Sequence, residues 1–281
     1  MDDLYLTWHG FGTETKAALI GAASTFLTAI IGFGALFYQI RSQGKQSRES
    51  VVENERRRLK AAMYEDAVSI CRELADSSID LSTKLRTMMM EIELAAHARL
   101  EIQLPVARFP MLVELYGSFL EATLRFIFLV ENRRFIDPRI LVFRTAMSTV
   151  LHDTRELMFS KFVEHVMPIL PVQGPDGTLL PYNSPSIQSA ATVRVLSEAF
   201  IDLLDDATAY AGDFLVEMQN ALLGDLFGRK VSHRVPLDPQ KRVVTLENAA
   251  ELEKWFEVNT EWGRTVKRVE AETAAKFVPV Q

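Results

Sequence analysis

The sequence predicts an all-α protein: one N-terminal transmembrane helix, then a cytoplasmic bundle of four or five long helices. Two observations carry this reading. Residues 17–38 form a run of 22 residues with no charge and no proline. Beyond it, apolar side chains recur at helical spacing over long stretches, and no segment shows the two-residue alternation of a strand.

Composition excludes several classes. Of 281 residues 48% are apolar and 24% charged, so the chain can bury a core and is not disordered. Cys71 is the only cysteine, which removes the disulfide-rich class and cysteine-based zinc or iron–sulfur sites. A net charge of −6 speaks against a nucleic-acid partner.

Residues 1–16 form a short extracytoplasmic N-terminus, with Asp2, Asp3, Glu14 and Lys16. The uncharged run extends over 17–40. As a helix, its first 22 residues reach roughly 33 Å, enough for a hydrocarbon layer of about 30 Å. Residues 41–60 are a basic juxtamembrane segment, with seven Lys or Arg against three Glu, net +4. Lys and Arg accumulate on the cytoplasmic flank of a span, so the N-terminus lies outside and residues 61–281 inside the cell (inner) membrane. The acidic start, the long apolar run and the basic flank after it oppose a cleaved signal peptide.

Ala17, Gly21, Thr25 and Ala29 form one small-residue stripe of the span, and Ser24, Thr28 and Gly32 another; such stripes let helix backbones approach in lipid. A homo-oligomer is expected on this ground. Arg41, Lys45, Arg48, Arg56, Arg57 and Arg58 would meet anionic lipid headgroups at about 1 kcal/mol each, so the bilayer itself is a partner.

Between about Arg48 and Leu104 there is neither Pro nor, past the membrane segment, Gly. Leu74, Leu81, Met88, Ala95 and Ile102 recur every seven residues, Leu85 and Ile92 supply a second row, and Leu59, Met63, Ala67 and Ile70 precede them. Such a stripe suits a bundle or a coiled coil. Ser77, Ser78 and Arg99 interrupt the second row, which favours the bundle.

Pro105 and Pro110 break this pattern, and a second helix is expected over about Phe109–Asn132. Its apolarity suggests membrane insertion, but Glu114, Glu121 and Arg125 would each cost about 2.5 to 3.5 kcal/mol at a bilayer centre. With Ser118 they form one polar stripe, so the helix is read as buried on most of its circumference. Asp137-Pro138 starts a third helix reaching about Met167. Five of the eleven prolines fall in 168–185, a loop turning at Pro175-Asp176-Gly177.

Ser184-Pro185 signals a fourth helix, whose face runs Leu196, Phe200, Leu203, Ala207, Tyr210, Phe214, Met218, Leu222 and ends at Gly224. Residues 224–245 form a basic loop carrying Lys230, Arg234, Lys241 and Arg242. A last helix follows, with Asn248 and Glu251 spaced as a capping box and Trp255 and Trp262 two turns apart.

No constellation identifies a reaction. His152-Asp153 lacks the further ligands a metal phosphohydrolase needs. Asp202 and Asp206, four apart, could share magnesium only with a second acidic helix and a phosphate grip. The segment from Gly224 to Lys230 fails as a phosphate loop in spacing and context. Asp202, Asp206 and His152 are the weak catalytic candidates, and no cofactor is expected. The expected function is a non-enzymatic interaction, scaffold or sensory module with an unknown cytoplasmic protein partner. A membrane-perturbing effector and a helical-bundle enzyme with an acidic metal site are the alternatives.

Overall fold

The computed structural model describes the backbone of residues 13–98, 108–170, 185–228, 230–236 and 241–276, and side chains from Val51 onward within those ranges, apart from a few positions. The chain divides into two compact units, Met1–Leu59 and Lys60–Gln281. Six principal helices and no strand occur among the described residues. They are α1, Thr13–Ala98; α2, Arg108–Arg133; α3, Leu141–Glu156; α4, Ile187–Phe227; α5, Ala249–Asn259; and α6, Glu261–Lys276. Among the described residues no helix is long and apolar enough to cross a membrane. The expected span, with Gly21, Thr25, Thr28, Ala29 and Gly32, and the collar residues Arg41, Lys45 and Arg48 lie outside the residues whose side chains are described.

In the second unit α1 to α4 form a four-helix bundle whose sequence neighbours run antiparallel. Arg125 bonds Glu73 at 2.9 Å and Arg133 bonds Asp66 at 2.7 Å, which sets α2 against α1. Arg144 reaches Glu131 at 3.2 Å between α3 and α2. Tyr64 donates to Gln219 at 3.2 Å and Arg194 pairs with Glu93 at 3.5 Å, closing α4 onto α1. The ring pair Phe143–Phe214 joins α3 to α4, and Phe162–Phe200 joins the turn that follows α3 to α4. Helices α2 and α4 are diagonal and parallel, and meet through Phe126–Phe214 at 5.2 Å and Tyr116–Phe200 at 6.1 Å.

The heptad pattern of α1 is the reason it belongs here. Ala67, Cys71, Leu74, Ser78, Leu81, Leu85, Met88, Ile92 and Ala95 are all buried, at alternating steps of four and three. Ser78, expected to break the second row, sits inside it because its hydroxyl donates to the Leu74 carbonyl at 2.8 Å. Leu59, expected in the stripe, is exposed instead. It is the last residue of the first unit.

Helix α3 shows why a simple helix would fail. Val150, Thr154, Met158, Phe162 and Val166 are buried at successive steps of four. In a regular α-helix each such step rotates the side chain by about 40° and would carry the row out of the core. A π-helical turn at Leu157–Phe162 widens the winding and keeps the row inward. The chain then closes through Val163–His165 and a 3₁₀ turn at Met167–Ile169.

Several expected boundaries move. Asp137 caps a 3₁₀ turn at Pro138–Ile140 by accepting the Arg139 N–H at 2.9 Å, as expected. Helix α4 is capped by Ser186 with Ser189, not by Ser184, and it ends at Gly228 rather than Gly224. Gly228 has φ 65°, which favours glycine, and its N–H bonds the Gly224 carbonyl. The expected last helix is two: Thr260 separates α5 from α6, and its hydroxyl accepts the Gly263 N–H at 3.0 Å. Gly263 lets them pack, since a Cβ there would strike the Phe256 carbonyl and the Glu257 backbone.

Two outcomes test this packing. Phe214 is fully buried between Phe126 and Phe143, so Phe214→Ala should destabilise the domain by about 4 kcal/mol in denaturant titration. Burial pushes the Cys71 thiol up to about 12, so at pH 8 a thiol reagent should label the native protein only as fast as it unfolds.

Candidate functional site

The densest polar arrangement lies on α4, where Asp202, Asp206, Asp213, Glu217 and Asn220 recur at helical steps along one side. Every one of them meets the segment between Gly228 and Asn248. This segment runs out along α4 and comes back. On the outward limb, Val231 and Asn220 exchange two hydrogen bonds, 2.7 and 3.0 Å. His233 Nε2 lies 3.0 Å from Glu217 Oε1, and Arg234 bonds both oxygens of Asp213 at 2.9 and 3.1 Å. Lys241 then places its ammonium 2.8 Å from Asp206 Oδ1 and 3.2 Å from the Asp202 carbonyl.

On the return limb the Val244 N–H donates to Asp213 at 2.9 Å and the Leu246 N–H to Glu217 at 2.9 Å. Two carboxylates on α4 thus each hold both limbs. Arg234 also donates to the Arg242 carbonyl at 3.0 Å, tying limb to limb directly. Asp213 is 1% exposed, and a buried carboxylate is tolerated only when its oxygens are matched by donors. Burial raises its proton affinity, and the Val244 N–H and the Arg234 guanidinium oppose that rise. Burial raises Asp206 likewise, with Lys241 opposing and Asp202 adding to the rise.

These charges are partnered within the chain. Asp202 and Asp206 face the ammonium of Lys241, at 4.0 and 2.8 Å. Three cations of the basic loop 224–245 have partners too. Arg234 and Lys241 are bound to α4, and Arg242 lies 4.4 Å over the Trp255 ring. Acidic helix and basic loop are two halves of one internal contact.

His152 has other neighbours. Its ring lies 6.0 Å from that of Trp262 on α6, beside Asp153, whose proton affinity is raised by burial, lowered by His152 and raised by Glu261. The structure therefore divides the three weak catalytic candidates between two environments. Among the described residues no group of three or more His, Cys, Asp or Glu side chains could hold a metal ion.

Arg56, Arg57 and Arg58 are exposed on α1. Arg57 pairs with Glu53 at 3.2 Å and Arg58 with Glu55 at 3.9 Å, both within the helix. Asn248 precedes α5 without the expected capping box. Its side chain instead accepts the Thr245 N–H and donates to the Val243 carbonyl, fixing the end of the return limb. An open cleft of about 420 Å³ lies between α3, α5 and α6, lined by Arg144, Ser148, Glu253, Trp262 and Lys267 among others.

Sequence reasoning missed Asp213, Glu217 and Asn220 as partners of the loop. The available signal was the stripe itself: acids on the side of α4 away from the bundle, followed by a loop carrying matching cations. The chain matches no family model, no curated protein and no solved structure.

Removing the carboxylate at the centre of the contact should leave Arg234 without its partner. Asp213→Ala is expected to cost about 3 kcal/mol and to open 230–246 to limited proteolysis. A substitution at exposed Asp205 should do neither.

Proposed function

We propose that the chain is a single-pass membrane protein whose helical domain works on the cytoplasmic side as a non-enzymatic assembly module, binding copies of itself and a protein partner. The observation that carries this reading is the 24-residue uncharged run 17–40 followed at once by a segment of net +4. The small residues Gly21, Thr25, Thr28, Ala29 and Gly32 supply a face on which spans can pack.

The internal use of the acidic groups supports a module that binds rather than catalyses. Asp202, Asp206, Asp213 and Glu217, the residues best suited to hold a cation, each bond or face a group of the chain itself. What the domain offers outward is helix surface, including large apolar side chains. Such surface is the ordinary material of protein association.

The test is fractionation and topology. After alkaline carbonate washing the full chain should stay with the membrane pellet, and a reporter fused after Gln281 should be active only in the cytoplasm. Release into the supernatant, or a reporter active only outside, would end this reading.

A further inference from the structure

Helix α2 leaves an apolar seam in water. Val113, Gly117, Leu120, Leu124 and Phe128 follow at steps of four, three, four and four, the spacing at which one helix receives another. Val113 is 39% exposed, Leu124 40% and Phe128 65%. At Gly117 an added Cβ would meet nothing within 4 Å. Phe159, 55% exposed, continues the strip onto the next element, where its ring packs edge-on against Tyr116 at 5.7 Å. Val163 and Met167 follow it at steps of four, also exposed. This corrects the expectation that α2 is buried on most of its circumference: the polar stripe Glu114, Ser118, Glu121, Arg125 is exposed, and an apolar stripe beside it is exposed too.

We infer that this seam is the contact between two copies of the chain, related by a two-fold axis that runs along α2. The area fits. The exposed parts of these side chains amount to on the order of 500 Å² of apolar surface, a large share of the about 800 Å² each partner contributes to a standard interface.

The charges fit as well. The α2 edge facing α1 carries Glu114, and the edge formed by α3 carries Arg155; both are exposed and neither makes an ion pair among the described residues. A two-fold along α2 brings the edge with Glu114 in one copy toward the edge with Arg155 in the other. The inference deepens the self-association proposed above, since anchoring in one membrane would raise the effective concentration of copies.

The test uses the full chain in its membranes and in detergent. Leu124→Cys and Phe128→Cys should give disulfide-linked dimers on mild oxidation, because a parallel two-fold sets each residue near its own counterpart. Lys254→Cys, on the surface of α5, should not. Buried Cys71 contributes no background. In detergent, Phe128→Glu should convert dimer to monomer by light scattering while its far-ultraviolet circular dichroism spectrum stays that of the wild type.

Dimers that survive Phe128→Glu, with no cross-link at Leu124→Cys, would overturn the inference. If Gly21→Leu with Gly32→Leu alone abolished them, self-association would stand and its surface would be the span. Cross-linking of Leu124→Cys only to a different protein, or loss of vesicle binding in Phe128→Glu without a change of oligomeric state, would also overturn it. Dimers cross-linked through α2 in a protein that carbonate washes off the membrane would keep the seam and remove the anchor.

Discussion

The carboxylate of Asp213 is a buried charge, and the second half of the domain is arranged around its requirements. A group 1% exposed to solvent must find its hydrogen bonds inside the protein. Arg234 supplies two and the Val244 N–H a third, from limbs running in opposite directions. Glu217 repeats the arrangement with His233 and Leu246. Both limbs are therefore fixed to α4 at the same level. The return limb delivers the chain to Asn248 and the start of α5, whose Phe256 packs edge-on against Tyr210 of α4. Without the carboxylates, the backbone amides of Val244 and Leu246 would lose the partners they have, and the return limb would be held only by the Lys241–Asp206 pair, the contacts of Asn248 and the packing of α5.

The four-helix core follows from a different constraint, the burial of heptad faces. In α1 the rule is obeyed over nine successive positions from Ala67 to Ala95, with Ser78 admitted because its hydroxyl bonds its own helix. In α3 the sequence departs from the heptad, setting its buried residues four apart from Val150 to Val166, and the backbone adopts a π turn to follow them. Apolar burial thus outweighs regular winding in this helix. Two rings of the widened turn pack edge-on against neighbouring helices, Phe159 on Tyr116 and Phe162 on Phe200.

Much of this was legible from the residues. The all-helical class, the extent of α2 to within a residue or two and the core face of α4 all follow from periodicity, because burial in a bundle is a local, repeating demand. Helix ends were less legible. Gly224 and Gly228 both suit a helix terminus, and only the backbone conformation distinguishes them; Asn248 has the right spacing for a capping box, yet its side chain serves the loop before it. The contact between loop and α4 was harder still. Asp202 and Asp206 had the spacing of a metal pair, and Arg234 and Lys241 stood only as charges of a basic loop, because a sequence presents each charge without its partner. Asp206 and Lys241 stand 35 residues apart, and no periodic signal crosses that interval.

The acidic side of α4 is an internal clamp. Amide hydrogen exchange at Val244 and Leu246 tests it most directly, since neither N–H has a regular helical or strand partner to protect it. Exchange slowed to the rate set by global unfolding, and greatly accelerated in Glu217→Gln with Asp213→Asn, is the result expected of a clamp. Exchange of both amides as fast as in an unstructured peptide would show the carboxylates free, and the account of this domain would have to be abandoned.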